Sequence, residues 1–351
     1  MTYRSYLAAE RRRQRAEAKL AAKQVAQSEV RAFEQKIDAL QSIHREALAS
    51  IDWEAKACSL PPLPPVASSY NAFGARLRSL DHLTEFPQTA ADLLKEALQQ
   101  DQEAFAAAKT SHAATLATHE KWRSLGIRVL RGEPQAYLDA IKELQPLTSL
   151  LEKGWAAQFS FPSSALVECS LETDDESASP PRELKTLTTA GNLSVRAMPQ
   201  GRSNELFYEH ICSCVLRSGR EIMALLPVET ALVTVTLESM DPALGKPTHK
   251  KVLSVALPRS VLSQMDFDQV EPVAAVDRLG ARCDFRATRK GEPFLPIRPL
   301  TPAEIIHVAP KCLPIEERFT DAQRLRKSLQ ELAPSPPEPP PQQEATEAPP
   351  Q

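Results

Sequence analysis

The sequence predicts an α+β fold, in which a long helical, coiled-coil N-terminal half precedes a compact mixed α/β domain with an antiparallel hairpin. Residues 1–155 are rich in Ala, Glu, Lys, Arg and Gln, which favour helices. Two segments beyond residue 155 alternate apolar residues with the period of a strand. Glycine is scarce, at 10 of 351 residues, which argues against glycine-loop nucleotide folds and all-β barrels.

The predicted organisation has six parts, whose borders lie at prolines and at shifts in composition. They are a basic, then heptad-like helix over 1–58, a Pro-rich linker over 59–87, a helical region over 88–154, the α+β domain over 155–310, a C-terminal helix over 311–332 and a disordered Pro-rich tail over 333–351. The tail contains eight prolines and no basic residue, so it has nothing large and apolar to bury.

The first helix is predicted to run unbroken from residue 4 to residue 57, because neither Gly nor Pro occurs there. Residues 1–24 carry seven basic and two acidic side chains. Within them, a cluster that can contact phosphates or an acidic partner is formed by Arg11, Arg12, Arg13 and Arg15. The alternative is a solvated helix end, balanced by acidic surface elsewhere.

An apolar seam with the spacing of heptad a and d positions begins at residue 30. It is formed by Val30, Phe33, Ile37, Leu40, His44, Ala47 and Ile51. Its predicted partner is either the second long helix, residues 88–125, or the same helix of another chain. His44 at a core position favours the partner within the same chain.

The next helices are predicted from their start signals. LPPLPP at 60–65 cannot remain helical. Thr89 and Asp92 form an N-cap box for the second long helix, which is expected to end near Leu125. Pro134 opens a third helix, for which Lys153–Gly154 is a typical end.

Beyond Trp155 the sequence predicts strands at 164–172 and around Ala190–Gly191. An apolar helix from Asn204 is expected to end before Pro227. The hairpin that follows has two strands with period-two alternation, Val233, Val235 and Leu237 in the first and Leu253, Val255 and Leu257 in the second. Residues 260–279 are predicted to hold one or two short helices, and Thr301 with Glu304 forms a capping box.

One three-residue pattern is of a kind found in metal-dependent nucleases. Glu183 and Lys185 form an E-x-K pattern, and Asp174 precedes it in an acidic loop. In restriction-endonuclease-like enzymes, such carboxylates bind a divalent metal and the lysine steadies the attacking water. The strand is polar here, whereas it is buried and apolar in those enzymes, so a solvated segment is the favoured interpretation.

Other functional classes find little support in the sequence. The patterns GxSxG, GxxxxGK[ST] and GxGxxG are absent. His112 and His119 share a helix face but lack further metal ligands, and none of the six cysteines forms a CxxC pair. We therefore predict no metal site and no cofactor, except a divalent metal under the nuclease alternative. No apolar run is long enough for a membrane span, and MTYRSYLAAERRRQ is not typical of a signal peptide, so a cytoplasmic protein is expected.

Several segments together resemble a family of uncharacterised bacterial proteins with a helical N-terminal part before a small α+β domain. They include IDWEA before a proline run, HEKWRSLGIRVLRGEPQAYLDAI, KTLTTAGNLSVRAMPQGRSNELFYEHICSCVLRSGREIMALLPVETALVTV, and KVLSVALPR before MDFDQVEP. The resemblance covers residues 50–300. It implies a bacterial, cytoplasmic origin and a folded module near 155–300, and it brings no activity with it.

Two functions therefore remain open. The first is a non-enzymatic interaction or scaffold protein, which binds a protein partner or itself through the N-terminal helix. The alternative is a metal-dependent nuclease-like enzyme that uses Glu183 and Lys185. Nucleic acid is a further possible partner of the basic N-terminal segment.

Overall fold

The computed structural model describes residues 3–46, 49–79, 87–174, 180–240, 245–289 and 292–305. It confirms the α+β class, with long helices in the N-terminal half and a mixed sheet after them. The chain forms two compact units. Within the described residues, the sheet unit combines residues 3–52 with 128–305, and the helical unit contains residues 53–127. The predicted helix over 311–332 and tail over 333–351 lie outside the described residues.

The helical unit contains α2 (Trp53–Cys58), α3 (Tyr70–Ser79) and most of α4 (Pro87–Leu130). The rings of Trp53 and Trp122 lie 6.4 Å apart and join α2 to α4. Gly126 lies inside α4, which continues past the predicted end near Leu125. A Cβ atom at Gly126 would come within 3.2 Å of backbone atoms of α2, a tight contact, so the close approach of the two helices favours glycine.

Helix α3 corrects the prediction of a continuous linker over 59–87. Its N-terminus is capped from a distance, because both carboxylate oxygens of Asp101 on α4 accept hydrogen bonds from it. The donors are the amides of Asn71 and Ala72, at 3.1 and 2.9 Å. A remote carboxylate thus caps the helix together with Ser68, whose Oγ accepts a hydrogen bond from the Tyr70 amide at 3.3 Å. The prolines at 61–65 remain non-helical, as predicted.

The sheet unit contains a six-stranded sheet with the strand order β1–β2–β5–β6–β7–β8. Its strands are β1 (Ala156–Ser163), β2 (Leu166–Asp174), β5 (Thr230–Met240), β6 (Pro247–Pro258), β7 (Arg282–Phe285) and β8 (Phe294–Leu295). Strands β2 and β5 pair in parallel, and all other neighbours are antiparallel. The predicted β5–β6 hairpin is confirmed, with Val233 opposite Val255.

Helix α7 (Gln200–Leu225) is the core of this unit. It connects the parallel pair and packs on β5, and its apolar side chains are buried. Ile211, Val215, Ile222 and Leu225 are at most 2% exposed, as the helical spacing predicts. The helix ends two residues before Pro227, because proline disfavours helical geometry in the residue before it. Shorter helices of the unit are α5 (Pro134–Leu144), α6 (Thr148–Leu151), α8 (Arg259–Leu262), α9 (Pro272–Arg278) and α10 (Pro302–Ile305).

A separate two-stranded sheet is formed by β3 (Glu183–Leu187) and β4 (Leu193–Ala197). The predicted strands around Ala190–Gly191 are thus confirmed as a hairpin. Gly191 has a φ of 77°, a left-handed conformation that glycine adopts without strain. The hairpin packs against α1 (Tyr3–Gln41).

The prediction of one helix over 4–57 is wrong. Helix α1 ends at Gln41 and is followed by a 3₁₀ turn at Ile43–Arg45. The carbonyl groups at and beyond this end accept hydrogen bonds from α7 instead of continuing the helix. The pairs are His210 with Leu40 at 3.0 Å, Ser213 with Gln41 at 3.0 Å and Arg217 with Ile43 at 3.3 Å. Tertiary hydrogen bonds therefore override local helix propensity.

The apolar seam of α1 packs within the sheet unit. Val30 is buried, and Phe33, Ile37 and Leu40 are half-buried, while Ala47 lies outside the described residues. The elements that α1 contacts are α7 and the β3–β4 hairpin. Neither was among the two partners predicted for this seam. Among the described helices, none is long and apolar enough to span a membrane.

Candidate functional site

The predicted catalytic residues lie on two different sheets. Glu183 and Lys185 are on β3, two residues apart, so their side chains share one face of the hairpin. Asp174 ends β2 in the six-stranded sheet, opposite Glu238 of β5. Helix α1 adds a carboxylate that the sequence analysis did not single out, that of Glu29. The structure thus brings two of the three predicted residues together.

Lys185 is held in an ion pair with Glu29. Its Nζ atom lies 2.6 Å from Oε2 of Glu29, and both side chains are partly exposed. The hydrogen bond to this carboxylate raises the pKa of Lys185 above its ordinary value. The lysine is therefore a cation at neutral pH, and its charge is balanced by α1.

A groove lies between α1 and β3, with a volume of about 750 Å³. Helix α1 contributes one wall, and β3 with the residues before it contributes the other. The lining residues are Ser28, Glu29, Ala32, Phe33, Lys36, Pro181, Arg182, Glu183 and Lys185. Its volume is within the range of small-ligand and peptide sites. The groove contains three cations and two carboxylates, and Phe33 is its largest apolar side chain.

Two cations of the groove, Lys36 and Arg182, have no ion-pair partner within the described part of the chain. Arg182 also borders a second cavity of about 460 Å³ at the start of α7, whose polar lining includes Gln200, Ser203 and Asn204. Since Glu29 and Lys185 neutralise each other, the remaining charges of the groove leave an excess of one positive charge.

The backbone groups of successive β3 residues point alternately toward β4 and toward the outer edge of the hairpin. The Met198 amide donates to the Arg182 carbonyl at 2.9 Å, and the Thr188 amide donates to the Asn192 carbonyl at 2.9 Å. Hydrogen-bonded and non-hydrogen-bonded pairs alternate in an antiparallel ladder. The backbone N–H and C=O groups of Glu183, Lys185 and Leu187 therefore point away from β4. Within the described residues, no strand pairs with them on that side.

A metal site is a separate question, because the nuclease alternative requires one. Among the described residues, no three side chains of His, Cys, Asp or Glu are placed so that they could hold a metal ion. The histidines considered for such a site bind the backbone of the Pro-rich segment instead. His112 contacts the Pro62 carbonyl at 3.1 Å, and His119 contacts the Ser59 carbonyl at 3.2 Å.

The basic cluster Arg11, Arg12, Arg13 and Arg15 lies on an exposed stretch of α1. Arg13 pairs with Glu17 at 3.4 Å, and both side chains are largely exposed. An exposed pair of this kind contributes little to stability. The described contacts of α1 with the hairpin begin near Lys23, whose side chain lies beside Gly191. The basic stretch is therefore accessible, as both of its predicted roles require.

A polar network between the end of α1 and α7 was missed by the sequence analysis. Its members are Gln41, His44, Glu46, Ser213, Arg217 and Glu221, and Glu46 lies at its exposed margin. Arg217 pairs with Glu221 at 2.7 Å, and their side chains are 8% and 1% exposed. Arg217 also binds Glu46, and this hydrogen bond lowers the pKa of the Glu46 carboxyl. Glu221 accepts a hydrogen bond from the Leu147 amide at 2.6 Å. The sequence signal for this network was the spacing of Arg217 and Glu221, which lie four residues apart among apolar residues of α7.

His44 belongs to the same network and packs against α7. Its Nδ1 lies 2.7 Å from Oγ of Ser213, which itself donates to the Gln41 carbonyl. Burial, followed by the charge of Arg45, lowers the pKa of His44, and burial likewise lowers that of His210. Both imidazoles are therefore neutral at neutral pH. The network fixes the end of α1 and thereby the position of the groove wall.

Comparisons with known proteins give no relative from which a function could be transferred. No family model matches the chain, and no curated protein or solved structure matches it significantly. The function must therefore be inferred from the groove, the strand edge and the basic helix.

Proposed function

We propose that the protein is a non-enzymatic bacterial interaction protein, which acts in the cytoplasm as a scaffold. Helix α1 of its helical half and strand β3 of its α+β module line a groove within the sheet unit, where a protein partner binds. The observation that carries this proposal is an accessible groove in which two cations and the outer edge of β3 have no partner among the described residues. These are binding features, because they offer charge and backbone hydrogen bonds to a partner.

The chemistry of Lys185 supports binding over catalysis. The ammonium group that would steady an attacking water already donates a hydrogen bond to Glu29, and this bond raises the pKa of Lys185. Asp174 is not among the residues that line the groove. Lys185 of the E-x-K pattern therefore forms an ion pair with Glu29, and this pair links the hairpin to α1.

Site-specific photo-cross-linking in the native host tests the proposal. A benzophenone amino acid replaces Phe33 in the groove, and, as a control, Tyr70, which is 80% exposed on α3. We expect a defined covalent adduct at position 33 and none of the same mass at position 70. The adduct mass separates a different protein from a second copy of this chain. If position 33 yields no adduct, the proposal is wrong.

The nuclease alternative makes a different prediction for the same purified protein. It requires that single-stranded or duplex nucleic acid is cleaved when Mg²⁺ or Mn²⁺ is added, and that Glu183→Gln abolishes cleavage. The shared strand face of Glu183 and Lys185 is the observation in its favour. Binding of nucleic acid without cleavage, lost on changing Arg11, Arg12, Arg13 and Arg15 to Gln, would instead assign a role to the basic segment.

A further inference from the structure

The backbone of β3 offers hydrogen bonds at the margin of the groove. Glu183 and Lys185 line the groove, and their N–H and C=O groups point away from β4. A strand edge with free donors and acceptors is a template for an additional strand. In many peptide-binding modules, an extended peptide adds to such an edge beside a helix.

The opposite wall limits what can enter. Helix α1 runs along the hairpin, with Lys23 near the turn residue Gly191 and Glu29 bonded to Lys185. Ala32 and Phe33 contribute apolar surface on this wall. A space between a helix and a strand edge admits one extended chain, whose side chains point alternately toward α1 and away from it. The groove thus has the form of a site for a single strand.

The charge of the groove selects among peptides. Lys36 on one wall and Arg182 on the other have no ion-pair partner in the described part of the chain, and only Glu183 opposes them. Arg182 can bind a carboxylate with two parallel hydrogen bonds. A peptide with acidic side chains complements this surface, whereas a basic peptide is repelled.

From these observations we infer that the groove binds an extended, acidic peptide segment of a protein partner, which adds to β3 as a third strand. The peptide backbone pairs with Glu183 and Lys185, and its carboxylates bind Arg182 and Lys36. This inference rests on the proposed function, since it specifies the partner of the same groove. It makes β3, and not the basic end of α1, the recognition element.

The probe is a fluorescein-labelled peptide of about seven residues with alternating Glu and Val, which matches the five residues of β3 with an overhang. Fluorescence anisotropy measures its binding to the full chain. We expect saturable binding, and weakening of about tenfold or more when every peptide nitrogen is methylated, since several backbone hydrogen bonds are lost. If the methylated peptide binds as well as the original, or the original does not bind, strand addition is excluded.

Variants of the protein test the same contact from the other side. Lys185→Pro removes an N–H that points away from β4, so it leaves the β3–β4 ladder intact. Lys185→Gln is the matched control, because it also breaks the ion pair with Glu29 but keeps the N–H. We expect loss of peptide binding in the first variant and a clearly smaller loss in the second, which is due to the freed Glu29 carboxylate. Equal effects of the two changes would contradict strand addition.

Charge reversal tests the selection of acidic peptides. Arg182→Glu and Lys36→Glu should each weaken binding severalfold, and Lys95→Glu, an exposed change on α4, should not. A peptide with Lys in place of Glu should bind more weakly than the acidic one. If the three reversals act equally, or if a single-stranded oligonucleotide displaces the peptide, the assignment is overturned.

The outcomes also separate this inference from the proposed function. A cross-link at position 33 without binding of the acidic peptide overturns strand addition and leaves an interaction protein of another kind. Peptide binding that is sensitive to methylation, together with a cross-link at position 33, supports both. Absence of the cross-link overturns the proposed function, whatever the peptide does.

Discussion

Arg217 shows how a single residue joins distant parts of the chain. It binds Glu221 on its own helix, Glu46 in the segment after α1, and the Ile43 carbonyl. A buried ion pair is costly to desolvate, so its presence is weak evidence of added stability. Loss of one partner is costlier still, because the other charge remains buried.

The first prediction concerns the Arg217–Glu221 ion pair. Glu221→Leu should lower the free energy of unfolding by about 3 kcal/mol, because Arg217 loses its buried partner while it retains Glu46, and the Leu147 amide loses its acceptor. Urea unfolding of the full chain measures this. The double change Arg217→Met with Glu221→Leu should cost clearly less than the sum of the single changes. Additive costs would show that the two residues do not interact.

Ile222 tests the packing of α7. Its side chain is 1% exposed, and Ile222→Ala should cost about 2–5 kcal/mol. The control is Leu98→Ala on α4, where the side chain is 44% exposed and the cost should stay within about 0.5 kcal/mol. A cost at position 222 as small as that of the control would show that this face of α7 is not in the core.

Glu304 should make the stability of the folded protein depend on pH. Its hydrogen bond to Arg282, followed by those to Thr301, lowers the pKa of the Glu304 carboxyl to about 2. A lowered pKa in the folded state means that the stabilisation is complete above the unfolded pKa and is lost as the pH falls toward about 2. Glu304→Gln should therefore destabilise the protein at neutral pH, and the difference from the wild type should shrink below about pH 4. Urea unfolding at several pH values measures it, and a constant difference would contradict the assignment.

At the scale of elements, the sequence predicted α7 and the β5–β6 hairpin because their patterns are local. Apolar residues recur with helical spacing in α7 and with period two in the strands, and proline marks the end of the helix. The end of α1 at Gln41 could not be predicted, since good helix formers continue beyond it. The deciding interactions come from α7, more than 160 residues away in the sequence.

The candidate site was only half predictable for the same reason. Glu183 and Lys185 stood out as a pattern, but their neighbour Glu29 lies 156 residues from Lys185 along the chain. Arg182 and Lys36 had no pattern at all. Their common groove exists only because the hairpin packs against α1, which no periodicity in either segment indicates.

Helix α1 combines an exposed part and a packed part, and truncations should separate them. Deleting residues 1–20 removes a stretch that is exposed from position 11 onwards, so the melting temperature should be unchanged. Deleting residues 1–46 also removes the partners of His210, Ser213 and Arg217 and should lower it by many degrees. Circular dichroism during heating measures both. Equal melting temperatures of the two truncated proteins would contradict this role of α1.

On the scale of the whole molecule, the sheet unit is discontinuous in sequence. The sequence predicted that residues 155–310 fold alone, but the compact unit also includes residues 1–52 and 128–154. Because α1 satisfies polar groups of α7, we expect a fragment of residues 128–310 to melt without cooperativity. A separate peptide of residues 1–52, added in excess, should restore a cooperative melt. A cooperative transition of the fragment by itself would show that α1 is dispensable for folding.

The discontinuity of the sheet unit has a consequence for synthesis on the ribosome. The end of α1 emerges first, and α7, which holds it, follows only after roughly 150 further residues. At synthesis rates of about 5–20 residues per second, α1 waits on the order of ten to thirty seconds for α7. During that interval its apolar seam and its basic end are both open to other molecules. A nascent chain halted between these two points is thus the form in which chaperone binding to α1 should be strongest.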